Sequence, residues 1–277
     1  RISRNCPMKK YLVIGNPIEH SLSPKLHSYW IKKNNIDAIY EKEKLDENDL
    51  ENLILKVKDK IIHGINVTVP FKKAVIPYMD KLTTESENTQ SVNTIYLEND
   101  KIIGNNTDIN GFELSIKRSK FDLFNKKVFI LGAGGVVPSI IYALNKMKVS
   151  KIFICNRTRE KAENLKKLFN NLNIIEWGEI PNFDIIINAT SLGLKKEDDM
   201  NLDFSSVGKN KFFYDVIYNP KETNFLKMGK KLGHKTENGK LMFIYQAYLA
   251  FNIWHKVKPE INDDVLKLLD IWLKLEF

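Results

Sequence analysis

The chain has 277 residues, 43% of them hydrophobic, with 43 Lys and Arg against 34 Asp and Glu and a formal charge of +9. That is enough apolar material for one large or two ordinary domains, and it excludes a disordered or fibrous chain. The positive charge is scattered and no groove-reading motif accompanies it, so it reads as a solvated basic surface that attracts small anions, with nucleic acid excluded.

In chain order, "RISRNCP" has no apolar h-region and is expected to be a disordered leader ahead of a native start at Met8. "YLVIG" follows as a strand. Ser23-Pro24 then opens a helix with Leu26, Tyr29 and Trp30 on one face, the serine as cap and the proline in the first turn. In "LDENDLENLILKV" Asp46 caps a helix whose Leu50, Leu53, Ile54 and Val57 fall at i, i+3, i+4, i+7. "GINVTVPFKK" alternates, with Ile65, Val67, Val69 and Phe71 on a packed face and Asn66 and Thr68 opposite. Pro70 cannot donate to the ladder, so Phe71 and Lys72 leave the sheet at its carboxyl end, where open α/β sheets place ligands. "VNTIYLENDKIIGNNTD" reads as two strands joined by a Glu-Asn-Asp turn.

A second unit begins near Ile109. "KKVFILGAGGVVPSIIYALNKM" is strand, glycine turn and helix, "KIFICNRTREKAENLKKLF" another strand and helix, and "FDIIINATSLG" and "KFFYDVIYNP" are further strands. Helical patterns run from Leu241 to Val257 and from Val265 to Leu275. This alternation indicates an α/β protein with mainly parallel sheet, and nothing repeats at a fixed period. No Gly-, Pro- or Ser-rich linker separates the halves, so the boundary at residues 108–112 rests on content.

Two cysteines, Cys6 and Cys155, are too few for a disulfide framework and lack metal-ligand spacing, which points to a reducing, cytoplasmic setting and no metal. The longest apolar stretch, Leu241 to Trp254, is shorter than the ~20 residues of a membrane span, and Gln246 and Asn252 interrupt it.

Gly132, Gly134 and Gly135 lie between a strand and a helix, where the first glycine permits a tight turn and the second lets backbone approach a pyrophosphate. An ordinary Gly-rich turn is the alternative for this motif alone, since Val137 stands where close helix packing favours Gly or Ala. The next strand end shifts the balance. An acidic residue that would accept from a ribose 2′-OH is replaced by Asn156, Arg157, Thr158 and, one turn on, Lys161. A guanidinium clamps a 2′-phosphate through two N–H groups, so the preference is for NADP(H) over NAD(H). Thr190 and Ser191, in "NATSLGL" at a later strand end, flank the nicotinamide side. Singly, Ser21 and Ser23 read also as caps, Asn93 as a strand-edge residue, Asp108 as a cap and Gln246 as a surface residue.

Taken in order, "GNPIEHSLSPKLH", "NVTVPFK", "VNT", "GNNTD", "GAGG", "NRT", "NATSLG", "DVIYNP" and "QA" resemble the shikimate dehydrogenase family from Met8 to the C-terminus. The resemblance implies an N-terminal α/β substrate domain of residues 1–108 and 241–277, to which the C-terminal helices return, and a doubly wound Rossmann-like NADP domain of residues 109–240. It implies that Ser21, Ser23, Thr68, Asn93, Asp108 and Gln246 hold the substrate's hydroxyl and carboxylate groups, with Tyr218 contributing from the nucleotide domain. Ala133, Val136 and Gly239 join the cofactor set. The implied reaction is NADPH-dependent reduction of 3-dehydroshikimate to shikimate in aromatic amino-acid biosynthesis, Lys72 passing the proton and Asp108 orienting it. Departures are Val136, Val137 and Pro138, where relatives show small residues and an arginine, Lys161 in place of a second arginine, and Leu241 in place of a glycine. The alternatives are a dehydrogenase of quinate or another polyol acid, and a nucleotide sensor without turnover. A cleft closing on hinges near residues 108–112 and 237–241 is expected, in a monomer or homodimer.

Overall fold

The computed structural model describes residues 8–275; the expected leader and Cys6 lie outside them. By contacts the chain forms two units, one running to Thr107 and resuming at Ala247, the other Asp108–Gln246. The divisions read from the sequence stood at 108/109 and 240/241.

The first unit contains β1 (Lys9–Gly15), α1 (Ser23–Lys33), β2 (Ala38–Lys44), α2 (Leu50–Lys58), β3 (Gly64–Val67), β4 (Lys81–Leu82), α3 (Thr84–Thr89), β5 (Thr94–Glu98) and β6 (Lys101–Asn105). They build one sheet in the order β2-β1-β3-β5-β6-β4. Pairings β1–β2, β1–β3 and β4–β6 are parallel, while β5 is antiparallel to both neighbours. Asn99 and Asp100 take left-handed φ values of 50° and 60°, the two-residue turn that folds β5 back onto β6.

Three local expectations change. Strand β3 stops at Val67, and Val69 is 57% exposed, because Asn16 N–H bonds the Val69 carbonyl as the chain turns into Pro70. Ser23 is not the cap of α1. That place falls to Leu22, and Ser21 Oγ accepts the Ser23 N–H at 3.3 Å instead. Asp46 caps a 3-10 turn, Glu47–Asp49, through a capping box, and α2 continues from it with Leu50, Leu53, Ile54 and Val57 buried as the spacing predicts.

The second unit contains α4 (Asp108–Ser119), β7 (Lys127–Leu131), α5 (Val137–Lys146), β8 (Lys151–Cys155), α6 (Arg159–Leu168), β9 (Leu172–Ile174), β10 (Ile185–Asn188), β11 (Phe212–Asp215), α7 (Asn224–Lys231) and β12 (Lys235–Glu237). Helix α8 (Lys240–His255) crosses the division, and α9 (Asp263–Lys274) belongs to the first unit. The sheet order is β12-β11-β10-β7-β8-β9 with every pairing parallel. That is the doubly wound order, with the reversal between β7 and β10. Its two faces are packed by different residues, Val128, Ile130, Ile185 and Ile187 on one, Phe129, Leu131, Ile186 and Phe213 on the other. Such two-sided burial is why these strands read as unbroken apolar runs. Among the described residues no helix is long and apolar enough to cross a membrane.

Candidate active site

In the first unit, the carboxyl ends of β1 and β3 and the start of β5 share one edge. Thr68 N–H donates to Ile14 O, Val67 N–H to Asn93 O, and Val92 N–H to Lys72 O at 2.8 Å. These bonds bring the turn carrying Lys72 beside Asn93 and set Thr68 next to the loop that carries Ser21.

Beneath that edge lies a buried polar network. The Tyr40 phenol, raised well above its ordinary pKa by burial, donates to Asn66 Oδ1 at 2.7 Å and is hydrogen-bonded by Ser23. Asn66 Nδ2 donates to Asn93 O and Thr94 Oγ1, both at 3.1 Å. Asn93 Nδ2 reaches Thr107 Oγ1 at 2.9 Å, and its Oδ1 accepts from Thr107 N–H at 2.8 Å. A buried amide held on both sides has one orientation, so the Asn93 side chain is fixed in place by Thr107. Sequence reasoning missed the roles of Asn66 and Tyr40: it set Asn66 on the polar face opposite the packed one, and that side chain is buried at 6% exposure.

In the second unit, the glycine turn follows β7 at the reversal point. Gly132 has φ +108°, and a Cβ there would stand 2.8 Å from Ala189 O, so both conformation and space require glycine. At Gly134 and Gly135 no atom lies within 4 Å of a Cβ position, leaving bare backbone open at the start of α5. Val137, the departure from the glycine pattern, is fully buried with Ile140 and Ile141, and Pro138 sits in the first turn of α5.

Gly132, Ala133 and Gly134 line a cavity of about 290 Å³ with Asn156, Arg157, Lys161, Trp177, Thr190 and Ser191. Asn156 Nδ2 bonds Thr158 O at 2.8 Å, which fixes the turn that projects Arg157. The open glycine backbone suits a pyrophosphate, and two exposed cations at the end of β8 suit a phosphate on the ribose. The residues present therefore fit NADP(H).

The loop with Thr190 is held from below. Asn188 is fully buried; its Oδ1 accepts from Thr190 N–H at 3.0 Å and Thr190 Oγ1 at 2.6 Å, and its Nδ2 donates to Leu192 O and Asp215 Oδ1. Asp215, also fully buried, accepts from Ile217 N–H at 3.0 Å and Thr223 Oγ1 at 2.6 Å. Burial pushes its carboxyl up to about 6, partly opposed by those hydrogen bonds. One carboxylate thus ties the loops after β10 and β11. Sequence reasoning missed Asp215, Thr223 and Trp177.

The remaining expected residues fall in the second unit. Asp108 begins α4 and is 6% exposed. The Tyr218 ring lies 4.9 Å from Phe243, and Gln246 Nε2 donates to Phe243 O at 2.8 Å. Gly239 is buried so close to the Val216 carbonyl that a Cβ there would strike it.

Comparison with known proteins agrees with this geometry. A family model described as the shikimate dehydrogenase substrate binding domain matches residues 13–95, and one described as shikimate / quinate 5-dehydrogenase matches residues 115–221. A shikimate dehydrogenase (NADP(+)) of Pelagibacter ubique is 59% identical over 263 residues, covering 95% of this chain and 99% of that protein. The chain belongs to the shikimate dehydrogenase family. A crystal structure of the family's member from Aquifex aeolicus superposes with a TM-score of 0.84 at 34% identity, covering 95% of this chain and 97% of that one. The Thermus thermophilus enzyme, solved with NADP(H) and shikimate, gives 0.83 at 27% identity, covering 91% and 95%.

Proposed function

We propose that the protein is an NADP-dependent oxidoreductase that reversibly reduces 3-dehydroshikimate to shikimate. The observation that supports the reading is the edge of the first unit's sheet, where backbone bonds link the end of β3 to Asn93 and to the loop after β1, and the Lys72 carbonyl to Val92.

Ser21, Ser23 and Thr68 supply hydroxyls that replace water around a polyol carboxylate, each able to donate and accept. Asn93 offers an amide whose orientation is fixed by Thr107. Tyr218 and Gln246 complete the substrate set, and Asp108 orients the Lys72 ammonium. NADPH, when bound, supplies the hydride. Lys72 donates its proton to the 3-keto oxygen in reduction and takes it back in oxidation, which neutralises the negative charge that hydride addition leaves on that oxygen. Gly134 and Gly135 receive the pyrophosphate, Arg157 and Lys161 the 2′-phosphate, and Thr190 and Ser191 border the nicotinamide. Ala133, Val136, Asn156, Thr158 and Gly239 shape that site through backbone and packing.

Initial rates of nicotinamide absorbance, crossing shikimate and quinate with NADP⁺ and NAD⁺, test the reading. Turnover is expected with shikimate and NADP⁺ above every other pairing. Binding of NADPH without turnover on either acid would overturn it.

A further inference from the structure

The exposed Arg157 has a partner that the 2′-phosphate reading does not use. Its guanidinium carbon lies 5.4 Å from the centroid of Trp177, and both residues line the cavity beside the glycine turn. The indole is itself anchored. Its Nε1 donates to Met200 O at 3.1 Å, and its body packs against the cluster of Phe183, Phe204 and Phe213. An anchored aromatic ring therefore lies against an exposed cation.

A competing anion stands nearby. Asp198 accepts from Gly193 N–H at 3.1 Å and Lys195 N–H at 3.0 Å, bonds that lower its carboxyl pKa, and the fields of Lys195 and, least, of Arg157 lower it further. An exposed arginine samples many rotamers and pairs with whatever carboxylate is in reach. Stacking on an indole favours the rotamers whose N–H edge stays at the cavity.

We propose that Trp177 is a positioning residue for cofactor selectivity: it holds the Arg157 guanidinium edge-on to the 2′-phosphate and away from Asp198. This rests on the assignment of Arg157 to that phosphate. Lys161, in the first turn of α6, adds charge without geometry, so discrimination by shape depends on the Arg157–Trp177 pair.

Calorimetric binding of adenosine 2′,5′-bisphosphate and of 5′-AMP isolates the 2′-phosphate, and their affinity ratio reads selectivity without turnover. Trp177→Leu keeps apolar bulk and removes the π face; its ratio is expected to fall about fivefold, within the range of an exposed cation–π contact. Trp177→Phe keeps a ring and loses only the anchor, so it should recover most of the ratio. Arg157→Ala should abolish most of it. A parental ratio in Trp177→Leu, beside a collapsed one in Arg157→Ala, overturns the role of Trp177 alone. An unchanged ratio in Arg157→Ala overturns the phosphate assignment and the inference with it. If Trp177→Leu does not fold, Trp177→Met fills the same space with a flexible side chain and carries the same expectation.

Discussion

Asp215→Asn separates what the buried carboxylate does by shape from what it does by charge. The amide keeps its oxygen toward Asn188 Nδ2 and Ile217 N–H and turns its NH₂ toward Thr223 Oγ1, so the packing survives. One altered hydrogen bond costs about 1 kcal/mol at any pH. The charge term depends on pH. The carboxyl is raised from 3.8 to about 6 in the fold, so the folded state holds the proton more tightly than the unfolded chain. The parent is therefore favoured below the unfolded value and loses that advantage as pH rises through about 6. The whole shift is worth about 3 kcal/mol, of which about 2 kcal/mol accrues between about pH 4.5 and about pH 8. The variant has no such proton. Its stability relative to the parent should improve by about 2 kcal/mol over that interval, read as about 4–8 °C in relative Tm. Thermal melts of both proteins at the two pH values make the comparison, and titrations common to both cancel in the difference. A difference that stays flat, or moves toward the parent with rising pH, refutes the claim that burial dominates at Asp215.

Lys72→Ala should lower kcat about 10²- to 10⁴-fold with little change in KM, as removal of an acid-base group does; parental kcat removes Lys72 from the chemistry. Asn66→Ala removes the acceptor of Tyr40 and the donor to Asn93 O, and should cost about 2–4 kcal/mol in denaturant unfolding while raising KM for shikimate. Unchanged stability would show that water replaces the amide at no cost. Gly132→Ala places a methyl against Ala189 O at a left-handed φ, and should destabilise by about 1–3 kcal/mol and weaken NADP⁺ binding in a thermal-shift titration. Parental values on both readings would refute the need for glycine there.

The elements that bury one or both faces were legible because periodicity records burial. Strands β7, β10 and β11 are unbroken apolar runs, and α2 shows its four buried positions at helical spacing. Strands β2, β9 and β12 left no comparable trace: they carry Lys42 and Lys44, Asn173, and Lys235, because each lies at the end of a strand order. An edge strand needs only one paired side and tolerates charge on the other. Helix α3, "TESENT", buries only Ser86 and Thr89, so its apolar pattern is that of a loop, and its helix signals are the cap Thr83 and the first-turn Glu85 and Glu87.

The site divides along a similar line. The residues proposed to meet ligands stand in short motifs at strand ends, where Gly132, Arg157, Thr68 and Asn93 were readable in place. Residues that hold those motifs in position were not. Asn66 is 26 residues from Tyr40 and 28 from Thr94, and Asn188 is 27 from Asp215. Such pairs become neighbours only once the sheet order sets β3 against β5, β2 one strand away from β3, and β10 against β11. An Asn or Asp at a strand end carries no mark that distinguishes a ligand-facing side chain from one turned inward to tie two loops. Burial supplies that distinction, because a fully buried carboxylate persists only where several donors meet it. The three donors on Asp215 therefore identify it as a brace for the loops after β10 and β11. Asp215→Ala, which removes all three acceptor contacts, should weaken NADP⁺ binding in a thermal-shift titration through loop position, while leaving the proton transfer proposed for Lys72 intact.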